Sequence, residues 1–201
     1  MESTQPSLLN RVRDPADQLA WREFEFKYGE LILRYCRSHG LQTSDAEDVR
    51  QIVMLSLSRA LRDFHYSPVR GRFRNYLGKV VRNAIHRQRQ RPNAGAQRLD
   101  ADVLALAPDQ KAQPPDALWE EEWIRHHYRM AMQTVRKTYE TRSVALFDRL
   151  LVGESVTQVA AEFAMSTQAV HKVKQRIRNR LEELIAAQIR EEDDPGDSPT
   201  G

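Results

Sequence analysis

The 201-residue chain has room for one or two small domains, and its 40% hydrophobic and 29% charged residues are ordinary for a soluble globular protein. A single cysteine, Cys36, excludes an internal disulfide and a cysteine-rich zinc site, and no apolar stretch approaches the roughly 20 residues that span a membrane. The net charge is only +3, but it is segregated: Arg70, Arg72, Arg74, Lys79, Arg82, Arg87, Arg89 and Arg91 form a block without an acid, while Glu191 to Asp194 is an acidic run, a distribution that suits a polyanionic partner.

Residues 1–15 read as an N-terminal segment without the apolar centre of a signal peptide, so the chain is expected in the cytoplasm. Residues 16–91 read as one helical domain. Trp21, Phe24, Tyr28, Leu31, Ile32 and Tyr35 recur at three- and four-residue steps, which predicts a helix from about Asp17 to His39, stopped at Gly40. A second helix opens at Thr43–Glu47, where Ser44 and Glu47 have the spacing of a capping box, and carries Val49, Ile52, Val53, Leu57, Leu61 and Phe64 as its apolar stripe. Ser67 to Gly71 breaks the chain, and a third helix follows from about Phe73 to Gln90, apolar on one side and basic on the other.

Residues 92–117, punctuated by Pro92, Gly95, Pro108, Pro114 and Pro115, read as a flexible linker. Residues 118–189 read as a second helical domain, with Leu118, Trp119, Trp123, Tyr128, Met132 and Val135 on one long helix and Val144, Leu146, Phe147 and Leu150 on another. Residues 190–201 read as an acidic disordered tail. Glycine is scarce, good helix formers abound, and no alternating run predicts a strand, so the expected fold is all-α: two small helical domains, the second ending in a helix-turn-helix.

That last motif runs from Val156 to Gln175. Val156, Val159, Ala160 and Phe163 mark a short helix, Ala164-Met165-Ser166 the turn, and Val170, Val173, Ile177 and Leu181 the second helix. Ala160 is small enough for close helix approach, Ser166 is placed to cap, and Ala164 stands where a turn of positive φ favours glycine. Thr167, Gln168, His171, Lys172, Lys174, Gln175 and Arg178 leave the core stripe and carry amide and cationic groups suited to base edges and phosphates, with Lys172 expected on phosphate and Gln175 and Arg178 on bases. Cys36-x-x-His39 and His126-His127 are the metal-like clusters, each too poor in ligands for a zinc site. With no phosphate loop or nucleophile motif either, neither a cofactor nor an enzymatic activity is expected.

Three motifs in order, Asp45-Ala46-Glu47-Asp48-Val49-Arg50-Gln51, then Tyr66 to Leu77 continued by Val81-Arg82-Asn83, then the helix-turn-helix, resemble the extracytoplasmic-function class of bacterial RNA polymerase sigma factors over most of residues 16–187. The resemblance implies a protein that directs core polymerase to promoters and helps melt them. It implies that Asp45, Asp48 and Gln51 contact the clamp helices of the largest polymerase subunit, with Ile52 departing from the Glu usual after that Gln. It implies that Tyr66, Arg70, Arg74, Lys79, Arg82, Asn83 and Arg87 bind the minus-ten element, with Phe64, Phe73 and Tyr76 as further aromatics that the apolar stripe also claims for the core. The second domain is then expected to read the minus-thirty-five element and touch the polymerase flap, and an anti-sigma factor is a further partner of the class. The Lys174-Gln175-Arg176 run resembles the family's basic-Ser-Arg run but lies three residues late. The alternative, a stand-alone helix-turn-helix regulator with an N-terminal sensor, would bind duplex promoter DNA tightly without polymerase.

Overall fold

A computed structural model describes residues 7–63, 73–90 and 116–193. Among these residues every regular element is helical. The chain divides into two compact units, residues 1–123 with 190–201 and residues 124–189.

The first unit begins with a helical turn, α1 (Leu8–Arg11), within the stretch read as an N-terminal segment. Leu8, Leu9 and Val12 are buried, which explains why this short polar stretch is held. Helix α2 (Gln18–Ser38) is capped by Asp17, whose carboxylate accepts from the Ala20 N–H at 2.9 Å and pairs with Arg11 at 3.3 Å. It ends at Gly40, where φ is 79°, a conformation that glycine adopts without steric cost. Helix α3 (Thr43–Ala60) starts two residues earlier than a Ser44 cap requires. Gln42 takes the cap position without a side-chain bond, so the expected Ser44–Glu47 capping box is out of register, and Glu47 instead accepts from Arg50 Nε at 2.7 Å. A 3-10 turn (Leu61–Asp63) follows, and then α4 (Phe73–Arg89).

The core of this unit gathers Phe24, Tyr28, Leu31, Ile32 and Tyr35 of α2, Val49, Val53 and Leu57 of α3, and Phe73, Leu77, Val81 and Ile85 of α4. It also includes Trp119 and Trp123, from the start of α5 (Ala117–Thr138). The sequence expectation assigned both indoles to the second domain. Their burial here is driven by large aromatic area: Trp123 stacks on Tyr28 at 6.2 Å between centroids and Trp119 meets Tyr35 edge-on at 5.0 Å. Residues 191 and 192, expected in a disordered tail, are the end of the last helix. Glu192 accepts from the Tyr28 hydroxyl at 2.8 Å, and Lys27, itself buried, reaches Glu191 at 3.2 Å and Glu192 at 3.7 Å.

The second unit contains the rest of α5, α6 (Thr141–Leu151), α7 (Val156–Glu162) and α8 (Thr167–Asp193) up to residue 189. Ala131, Met132, Val135, Phe147, Ile177 and Leu181 form one cluster, and Leu146, Val159, Ala160 and Val170 another. The second helix of the motif, marked in the sequence as far as Leu181, continues for a further three turns. Cys36 is fully buried in the first unit, and burial pushes its thiol up to about 12, so it is a packing residue rather than a ligand.

Candidate nucleic-acid interface

Helix α3 buries Ala46, Val49, Val53 and Leu57, which turns the opposite side outward. Asp48, Gln51 and Leu55 are exposed at i, i+3 and i+7, so two polar groups and an unpartnered leucine lie on one stripe. Asp45 is half-buried on the flank, and its carboxylate accepts from Gln88 Nε2 of α4 at 3.3 Å, which ties it to the fold. Ile52 packs against the core, which accounts for the apolar residue beside Gln51.

Helix α4 carries its polar groups on two stripes. Lys79, Asn83 and Arg87 follow one another at four-residue steps and are partly exposed. Arg74, Gly78 and Arg82 follow one another on the adjacent stripe, which receives the start of α5. The Arg74 guanidinium pairs with Glu120, and the Arg74 carbonyl accepts from Trp119 Nε1 at 3.1 Å. A Cβ on Gly78 would stand 2.7 Å from that same indole nitrogen, so only glycine leaves room for the ring. Phe73 is core, in contact with Phe24 and Tyr28, and Tyr76 is half-buried with its phenol pushed up to about 12 by burial. Tyr66, Arg70 and Phe64 lie outside the described residues, as does the motif from 66 to 72.

Asp116 was not among the expected site residues. It caps α5 by accepting from the Trp119 N–H at 2.9 Å, and it accepts from the Tyr35 hydroxyl at 2.7 Å. Burial alone would raise its carboxyl. The Tyr35 hydroxyl, the Trp119 N–H and the charges of His39 and Arg82 outweigh burial and hold it below the ordinary range. An Asp directly before an apolar-periodic run is a helix start signal, so this residue was readable from Pro115-Asp116-Ala117.

In the second unit, Ser155 and Gln158 form a reciprocal capping box on α7: Gln158 Oε1 accepts from the Ser155 N–H at 2.9 Å, and Ser155 Oγ accepts from the Gln158 N–H at 3.3 Å. Ala164 has φ 50°, the left-handed turn conformation that the sequence pattern demanded, and Ser166 Oγ accepts from the Ala169 N–H at 3.2 Å to start α8. Thr167, Gln168, His171, Lys172, Gln175 and Arg178 are exposed around one face of α8. Gln175 donates to Asn179 Oδ1 at 2.7 Å, which fixes its amide plane along that face. Lys174 departs from the set. It is half-buried beside an apolar hollow lined by Tyr128, Phe147, Leu181 and Ile185, because position 174 lies on the flank of the core stripe. Arg176 turns back over the Tyr139 ring at 5.3 Å and is a packing residue.

His127 Nδ1 lies 2.7 Å from Gln188 Oε1 and both His126 and His127 are buried; among the described residues no group of three His, Cys, Asp or Glu is placed to hold a metal ion. No helix of the described residues is long and apolar enough to cross a membrane.

Residues 27–93 match the Sigma-70 region 2 family, a span that runs from Lys27 in α2 past the end of α4. No curated protein sequence matches the chain. A solved structure described as CnrH in complex with the cytosolic domain of CnrY is 21% identical over 90% of this chain and 96% of that chain, with a TM-score of 0.36.

Proposed function

We propose that the chain, whose residues 27–93 match the Sigma-70 region 2 family, is an extracytoplasmic-function class sigma factor with a complete division of labour for transcription initiation: it docks core polymerase with α3, opens the minus-ten element with α4 and reads the minus-thirty-five element with α8. It works by binding, in the cytoplasm, without a cofactor. The observation that carries the reading is the coincidence of the region 2 match with an outward stripe of Asp48, Gln51 and Leu55 on α3. Two polar groups around an exposed leucine form a rim and a small apolar centre, the composition of a protein-binding patch rather than of a solvated face.

On α4, Lys79 supplies a cation for backbone phosphate and Asn83, four residues on, supplies both a donor and an acceptor for a base edge. On α8, the exposed amides, imidazole and cations from Thr167 to Arg178 offer both phosphate and base contacts. The polymerase flap and an anti-sigma factor are further partners in this reading.

The test is transcription in vitro with core polymerase on a promoter library, together with co-purification of an Asp48→Arg/Gln51→Arg variant. The variant is expected to keep its helicity and lose the polymerase. Retained polymerase binding by the folded variant refutes the α3 assignment, and tight promoter-duplex binding by the wild-type chain without polymerase favours a stand-alone regulator.

A further inference from the structure

We propose that the acidic start of α5 is a built-in competitor of DNA for the Arg74 stripe of α4. The inference rests on the reading of α4 as the minus-ten face and adds a regulation to it.

Four observations converge within the first unit. The Arg74 guanidinium is already paired with the Glu120 carboxylate. The indole one residue earlier is locked against α4: Trp119 is fully buried, bonded to the Arg74 carbonyl and seated where Gly78 lacks a side chain. The helix start is anchored a second time by Asp116, which Tyr35 holds at 2.7 Å. Arg82, on the same stripe two turns beyond Arg74, has the Asp116 charge as its neighbour. A phosphate entering this stripe therefore meets a guanidinium already paired with a carboxylate of the same chain. Lys79 and Asn83 lie on the adjacent stripe of α4 and are partly exposed.

The consequence is a coupling. DNA can use the Arg74 stripe only by displacing Glu120, so anything that draws the start of α5 away from α4 raises the affinity of this face for a nucleic-acid backbone. By the same linkage, DNA on that stripe loosens α5.

The experiment uses the full chain and labelled oligothymidylate, followed by fluorescence anisotropy over a salt series. Glu120→Gln keeps the size of the partly exposed side chain and removes its charge. It is expected to bind about fivefold more tightly near 0.1 M salt, with a salt slope steeper by about 0.7, the increment of one additional phosphate contact on a single strand. Arg74→Ala alone is expected to weaken binding less than Lys79→Ala does, because Glu120 already pairs with the Arg74 guanidinium. In the Glu120→Gln/Arg74→Ala variant the gain should vanish, whereas a general effect of net charge would survive. If Glu120→Gln binds like wild type while Lys79→Ala weakens binding, α4 does hold DNA and the competitor is refuted. If neither Glu120→Gln nor Lys79→Ala changes binding, the nucleic-acid reading of α4 fails and takes the competitor with it.

Discussion

Trp119 and Gly78 fit as a ring against a bare backbone: a Cβ added at Gly78 would lie 2.7, 2.8 and 2.9 Å from three atoms of the indole. Trp119 is fully buried and bonded to the Arg74 carbonyl, so the ring has nowhere to move without breaking a buried hydrogen bond. Gly78→Ala gains helix propensity of about 0.5–1 kcal/mol, but overpacking of a rigid aromatic costs about 1–3 kcal/mol. The steric term dominates. Gly78→Ala is expected to lower the urea midpoint of the first unit and shift tryptophan emission to the red. A midpoint at or above wild type would show that the ring is not locked.

A second expectation concerns the buried pair. Lys27 and Glu192 have side chains only 8% and 6% exposed, and Glu192 also accepts from Tyr28. Lys27→Met strands a buried carboxylate and should destabilise the first unit by about 3–5 kcal/mol, while replacing both partners, Lys27→Met/Glu192→Leu, should recover most of the loss. The Tyr28 hydroxyl then loses its acceptor, so a residual of about 1 kcal/mol is expected. Equal loss in the single and double variants, measured by denaturant unfolding, would show that the two residues do not act as a pair.

His39 provides the pH dependence. Burial disfavours its imidazolium, the charges of Arg89 and Arg82 do the same, and Asp116 only partly opposes them, so its pKa lies below the ordinary 6.5. The unfolded chain therefore takes up a proton near pH 6.5 before the folded chain does. The stabilising contribution is complete above that value and is lost as pH falls through 6.5 towards the folded pKa. His39→Gln is expected to flatten this part of the stability profile. An unchanged profile from pH 7.5 to 5.5 in the variant assigns the dependence elsewhere.

On α8 the structure separates two lysines that sequence spacing grouped together. Lys172 is exposed beside His171 and Gln175, whereas Lys174 is half-buried against the apolar hollow. Lys172→Ala should weaken binding to all promoter sequences and reduce the salt slope by about one. Lys174→Ala should change the slope less and stability more. Gln175→Ala or Arg178→Ala should relax preference at one base pair at a cost of about 1–3 kcal/mol. Equal salt slopes in the two lysine variants would count against this division.

The helices were legible because their apolar periods are regular: Trp21 to Tyr35 and Val156 to Leu181 are buried or partly buried where the spacing placed them, and Ala164 takes the positive φ that the turn pattern required. Boundaries between units were not legible. Helix period reports which face of α5 is apolar but not which core accepts it, and Trp119 goes to Gly78 because a missing side chain 41 residues away leaves a slot of the right width. The site was readable as a set of residue types on surface stripes. Its internal pairings were not, since Arg74 meets Glu120, and Asp45 meets Gln88, across sequence separations that no local pattern encodes.

The bond from Tyr28 to Glu192 spans 164 residues and gives the first unit a timetable. On the ribosome, the other buried side chains of that unit are complete once Trp123 has been added, yet Lys27 must wait for Glu191 and Glu192. At about 5–20 residues per second that interval lasts several seconds. During it the nascent unit carries a lysine without its carboxylates at the edge of its core, and it is then at its most vulnerable to proteases. Synthesis of the final turn of α8 therefore acts as the closing step in maturation of a unit whose other elements were made long before.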